Sequence, residues 1–143
     1  MNIIETKILN SKEECINLLN KTVGGITILH INICSINKHF EELIVLIQEL
    51  QNNPDVIICS ETRQINIELY NLTGYTAHYN EGSINQNDGV ITYVKDELNQ
   101  ENKIEHIGRI SINQTTMQKN GIIYDLIGIY RSQPIKKKIL FKI

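Results

Sequence analysis

Two polar positions sit at the ends of apolar runs, where a folded chain can most readily place chemistry. Asn32 lies near the end of the run Ile26 to Ile33, and Ser60-Glu61 follow the run Asp55 to Cys59. An amide and a carboxylate this far apart in sequence meet only if their strands lie side by side and point the same way. The three cysteines, Cys15, Cys34 and Cys59, are odd in number and none forms a CxxC pair, so neither a disulfide framework nor a zinc site is expected. Their thiols suit a reducing compartment.

The elements needed to position these groups are legible in outline. Ser11-Lys12-Glu13-Glu14 has the form of a capping box, opening a helix over about Lys12 to Asn20 that Gly24-Gly25 closes. Ile26 to Ile33 is β-branched and apolar, as a buried strand requires. Asn37 is then expected to cap a helix from about Lys38 to Leu50. Phe40, Leu43, Ile44, Ile47 and Leu50 form its apolar face, and Glu41 and Glu42 lie in its first turn. Asp55 to Cys59 is a second short strand. A strand–helix–strand crossover of this kind makes the two strands parallel. Their carboxyl ends then share one edge of the sheet, where open α/β sheets commonly carry their sites.

Beyond this unit the pattern becomes strands and turns. Tyr75 to Tyr79 and Val90 to Val94 flank a loop containing Asn87-Asp88-Gly89. Asn120-Gly121 separates the extended runs Arg109 to Gln118 and Ile122 to Tyr130, which is a strong type I′ hairpin signal. The closing residues, Lys136 to Ile143, show no obvious partner element.

Composition sets broad bounds. At 143 residues the chain has the length of one domain, and 41% hydrophobic with 21% charged residues is a globular balance. A net charge of -2 argues against a protein that coats nucleic acid through a basic face. It leaves room for an acidic site that touches DNA through local contacts. Neither a signal peptide nor a membrane-spanning apolar run is visible, so an intracellular location is expected.

Four segments together resemble a known family. LHINICSINKHFEELIVLIQEL (Leu29 to Leu50) is similar to an opening motif of an apolar strand ending in Asn, a Ser-containing loop and an amphipathic helix. PDVIICSETR (Pro54 to Arg63) is similar to an apolar strand followed by Ser/Thr-Glu-Thr. NLTGYTAHYN and NDGVITYVKDEL resemble the next segments, and LIGIYRSQP (Leu126 to Pro134) resembles a Tyr-Arg-x-x-Pro strand end. Their order and spacing resemble the endonuclease/exonuclease/phosphatase superfamily, in particular the endonuclease domain of non-LTR retrotransposons.

The resemblance implies a partial four-layer α/β sandwich, with two mixed sheets face to face and helices outside. It implies Mg²⁺-dependent phosphodiester hydrolysis, with DNA as substrate and a nuclear location for a working enzyme. Glu61 would hold the metal, and Asn32 a metal-linked water or a phosphate oxygen. Tyr130 would stand near the scissile phosphate. Arg131, Asn37 and Lys38 would contact phosphate or backbone. Residues 1–25 then form a helical lead-in, 26–134 the truncated domain and 135–143 a non-matching tail.

Departures from the family pattern carry weight too. Cys34 stands where retrotransposon relatives usually have Arg and apurinic endonucleases have Asp. No Gly-Asp-x-Asn or Ser-Asp-His motif follows Pro134. In the family those motifs activate the nucleophile and complete the acid/base machinery. Two expectations therefore stand side by side: a DNA-nicking enzyme, impaired unless a complementing second half or reverse-transcriptase segment joins it, or a catalytically silent transposon remnant serving at most as a binding fragment. The missing half is also expected to leave an apolar sheet face exposed and the chain marginally stable. Outside the resemblance, Asn32 reads first as a turn residue and Tyr130 as a core or sheet-face aromatic, while Glu61 can be a loop acid or cap and Arg131 a surface charge.

Overall fold

A computed structural model describes residues 5–21, 24–63, 65–81, 88–98, 100–131 and 138–142. It is mixed α/β, with two α-helices and two four-stranded sheets among the described residues. Helix α1 spans Lys12–Lys21 and α2 spans Ile36–Glu49. The strands are β1 (Ile28–Asn32), β2 (Val56–Ser60), β3 (Tyr75–Asn80), β4 (Val90–Lys95), β5 (Glu101–Ile107), β6 (Ile110–Lys119), β7 (Ile122–Arg131) and β8 (Lys138–Lys142).

The capping box opens α1 with one shift. The Glu14 amide donates to Ser11 Oγ at 3.2 Å, but the Glu14 carboxylate reaches back to the amide of Asn10, one residue before the cap, at 2.9 Å. Cys15 and Leu19 pack with Leu50 beside Leu29 and Ile47, so α1 docks where α2 ends.

The first sheet has the order β1-β2-β4-β3, and β1 and β2 are parallel, as the crossover requires. Every residue of β2 is buried, because the strand is covered on both faces. Ile57 and Cys59 face α2, against Ile36, Leu43, Phe40 and Ile44. Val56 and Ile58 face the other way, against Met117, Leu126 and Tyr130 of the second sheet. Helix, sheet and sheet thus form three packed layers around two apolar cores.

The second sheet, β5-β6-β7-β8, is antiparallel throughout rather than mixed. Its central hairpin turns at Asn120-Gly121, with φ of 52° and 76°, as a type I′ turn demands. Both of its edges lie outside the sequence expectation. Strand β5 was not anticipated, and Lys138–Lys142 does have a partner: it pairs with β7 as β8. The chain therefore builds a second sheet of its own, and the inner faces of the two sheets cover each other. The expected apolar exposure lies instead on the outer face of that sheet, where Ile107 and Ile123 are 61% and 67% exposed. No helix among the described residues is long and apolar enough to cross a membrane.

Asn37 does not cap α2. The helix begins two residues earlier, at Ile36, with Ser35 in the cap position but no side-chain cap. Cys34 and Ser35 turn the chain through positive φ, 51° and 120°. The Ile36 amide then donates to the carbonyl of Thr62 at 3.3 Å, so the loop after β2 does the capping. Glu41 and Glu42 accordingly fall beyond the first turn, which contains no acid.

Candidate functional site

The carboxyl ends of β1 and β2 are tied together by backbone. Asn32 is paired with Ser60, and the Ile33 amide donates to the Ser60 carbonyl at 3.0 Å. Beyond the pairing, both chains bend sharply. Cys34, Ser35, Glu61 and Arg63 all have positive φ, although none is glycine. Such conformations cost of order 1–3 kcal/mol each and persist only where the surroundings impose them. Four of them in the two loops at one sheet edge mark that edge as specialised.

The bends bring Asn32 and Glu61 onto one thiol. Cys34 Sγ lies 3.3 Å from Asn32 Oδ1 and 3.8 Å from Glu61 Oε2. The Cys34 amide also donates to Asn32 Oδ1 at 3.3 Å, in an Asx-type turn. Asn32 is exposed and Glu61 half-buried, so both side chains can reach a ligand from solvent. His30 lies two residues before Asn32 on the same face of β1. Its Nε2 is 3.0 Å from Ser60 Oγ, and burial lowers its pKa, favouring the neutral ring.

Tyr130, the remaining candidate, comes from the second sheet. It is 5% exposed and packs in the core shared by the two sheets with Val90 and Val56. Its phenol pKa is pushed up by burial first, then by the carboxylate of Asp88, and last by the charge of Glu61. The phenol oxygen is buried and makes no directional hydrogen bond.

Other sequence candidates are not drawn in. Arg131 follows Tyr130 in β7, so its side chain starts on the outer face of the sheet, and it is exposed. Asn37 is engaged elsewhere, with its Oδ1 accepting from the Tyr70 hydroxyl at 2.9 Å. Lys38 is exposed one residue further along α2. Asp88, fully buried at 0%, is a site residue that sequence reasoning missed. It precedes Gly89, whose close approach to Thr62 no local pattern announces.

The donor set suits a hard cation in a minimal way. Glu61 offers carboxylate oxygen and Asn32 amide oxygen, and Mg²⁺ commonly takes one or two carboxylates with water filling the rest of its shell. Among the described residues, no three His, Cys, Asp or Glu side chains gather as a ligating group. No protein-family model matches the chain, and no curated protein is significantly similar to it.

Proposed function

We propose that this chain carries the amino-terminal part of a metal-dependent phosphodiesterase site of the endonuclease/exonuclease/phosphatase kind, with DNA nicking as its ancestral activity and with turnover impaired in this chain alone. The observation that carries the reading is the meeting of Asn32 and Glu61 on Cys34 Sγ, at 3.3 and 3.8 Å, where parallel β1 and β2 end. The packing of two sheets face to face, with α2 outside the first, supports the sandwich architecture of that superfamily.

Each residue then has a part. Glu61 and Asn32 hold Mg²⁺ and a phosphate oxygen beside it. The metal, when bound, supplies Lewis-acid stabilisation of charge on the phosphoryl group. Tyr130, its phenol kept neutral, donates to a phosphoryl oxygen as charge develops there. Arg131, Asn37 and Lys38, which lie outside this cluster, have no part in holding the cation. The groups that activate water and protonate the leaving oxygen belong to the absent Gly-Asp-x-Asn and Ser-Asp-His motifs. Groups that act as a unit lose several powers of ten in rate when one is removed.

A second reading, a catalytically silent remnant of a retrotransposon, is favoured by Cys34, which brings neither the Arg nor the Asp charge found at that place in relatives. Plasmid nicking in Mg²⁺ separates the two. On the enzyme reading, supercoiled plasmid is relaxed by the chain and left intact by Glu61→Ala. Nicking that persists undiminished in the variant overturns the assigned site, and no nicking by either protein favours the remnant.

A further inference from the structure

The proposed chemistry leaves one group at the site without a part. The Cys34 thiol stands against both oxygens assigned to the cation, with Sγ 3.3 Å from Asn32 Oδ1 and 3.8 Å from Glu61 Oε2. A thiol carries one hydrogen and can donate to only one of these oxygens at a time. The other oxygen then faces the sulfur lone pairs with no proton between them. A positive charge shared by all three atoms removes that mismatch.

The spacing fits such a charge. Zinc bonds of about 2.3 Å to sulfur and about 2.1 Å to oxygen, opened at the tetrahedral angle, set sulfur and oxygen about 3.6 Å apart. The two observed separations lie on either side of that value. Protons balance as well. The S–H bond breaks as the sulfur–metal bond forms, the proton leaves to solvent, and the Asn32 lone pair that accepted from the thiol turns to the ion. The Cys34 amide keeps its hydrogen bond to Asn32 Oδ1, at 3.3 Å. Cys34 and Asn32 are exposed and Glu61 is half-buried, so an ion can enter from solvent and keep a position for water or a phosphoryl oxygen. The third donor is an amide oxygen, so the set differs both from a paired-cysteine zinc site and from a cluster of three ionisable side chains.

Hard and borderline-soft ions are told apart here. Mg²⁺ prefers oxygen and water and would use Glu61 and Asn32 alone, whereas a thiolate draws Zn²⁺ and Co²⁺. Cys15 and Cys59 are buried, which leaves Cys34 as the exposed thiol. We propose that Cys34, Glu61 and Asn32 form a three-ligand site for a thiophilic divalent cation of the Zn²⁺ class, held through Sγ, Oε2 and Oδ1. This rests on the cation site described above and changes which ion that site prefers.

Co²⁺ titration of the folded full chain, followed by absorption, reads the site without turnover. One Co²⁺ per chain is expected, with a near-ultraviolet thiolate-to-cobalt band. Zn²⁺ should abolish the band, and a roughly thousandfold excess of Mg²⁺ should leave it. Cys34→Ser should lose it. Glu61→Gln should weaken Co²⁺ binding about tenfold or more, because the ligand set loses its carboxylate charge. No band in the parent chain, a band kept in Cys34→Ser, or an unchanged Co²⁺ affinity in Glu61→Gln overturns the proposal.

Alkylation of Cys34 in the parent chain, scored by mass spectrometry of its peptide, needs no variant. Zn²⁺ should slow it and Mg²⁺ should not, and equal rates with and without Zn²⁺ overturn the proposal. If Mn²⁺ binds through Glu61 while no cobalt–thiolate band appears, the oxygen site stands and the thiol assignment fails. If the band appears and no ion supports nicking, the thiol site stands and the phosphodiesterase reading alone fails.

Discussion

Glu61 sits in a left-handed backbone conformation, with φ of 56°, at the end of a strand whose other residues are all buried. For a residue with a Cβ this costs roughly 1–2 kcal/mol, and glycine escapes the penalty. A residue retained there against its backbone preference is retained for its side chain. Glu61→Gly is therefore expected to stabilise the chain by about 1 kcal/mol while removing the carboxylate. Thermal denaturation reads the first effect and plasmid nicking the second. A variant that is less stable would show that the Glu61 side chain contributes more to the fold than its strain costs. Cys34 ties this edge together, because its thiol lies within reach of both Asn32 and Glu61.

At the scale of elements, the parallel pair was legible because its signals are local. Two short apolar runs separated by an amphipathic helix leave little choice of topology, and Asn120-Gly121 states its own turn. Strand β5 escaped because it is an edge strand, with partial burial confined to Asn102 and Ile104 and the exposed charges Glu101, Lys103 and Glu105 alternating with them. Strand β8 escaped because its pairing with β7 is not written in its own composition. The start of α2 was misplaced because its cap is a carbonyl from the β2 loop, distant in sequence. Asp88 was missed for the same kind of reason: its burial depends on how Gly89 meets Thr62. That contact also makes a prediction. Gly89→Ala would drive a Cβ to 2.5 Å from Thr62 Oγ1 and 3.0 Å from the Arg63 carbonyl, at a φ that favours glycine. It is expected to destabilise the chain by about 2 kcal/mol or more and to displace the loop bearing Glu61. An urea midpoint equal to that of the parent protein would contradict the described approach.

The two sheets must keep a fixed relation if Tyr130, from one, is to pack against Val56, Ile58 and Val90, from the other. Polar clasps hold them at both ends of the inter-sheet core. Asn80 of β3 donates to Ser111 Oγ at 2.8 Å, and Asn113 of β6 donates to Asn80 Oδ1 at 3.1 Å. At the amino ends of β1 and β2, far from the candidate site, Lys119 of β6 bridges to Asp55 Oδ2 at 2.9 Å and donates to the Gly25 carbonyl at 2.8 Å. Asp55 is 2% exposed and also accepts from the Thr27 amide at 2.9 Å. Removing the ammonium leaves a buried carboxylate with the Thr27 amide and, as its remaining cation, Lys95 at the longer distance of 3.7 Å. Lys119→Met is expected to cost about 3 kcal/mol, read as a lowered urea midpoint. A cost near zero would mean that Lys95 alone suffices.

The central claim is that Glu61, with Asn32 beside it, forms a divalent-cation site at the ends of β1 and β2. It is tested most directly by Mn²⁺ binding, followed by electron paramagnetic resonance of the free ion, in the parent chain and in Glu61→Ala. This readout does not depend on turnover, so it is informative even if the chain never nicks DNA. The account predicts one Mg²⁺-competable Mn²⁺ site in the parent chain that disappears in the folded variant. Equal Mn²⁺ binding by the two proteins, or none by the parent, would contradict it.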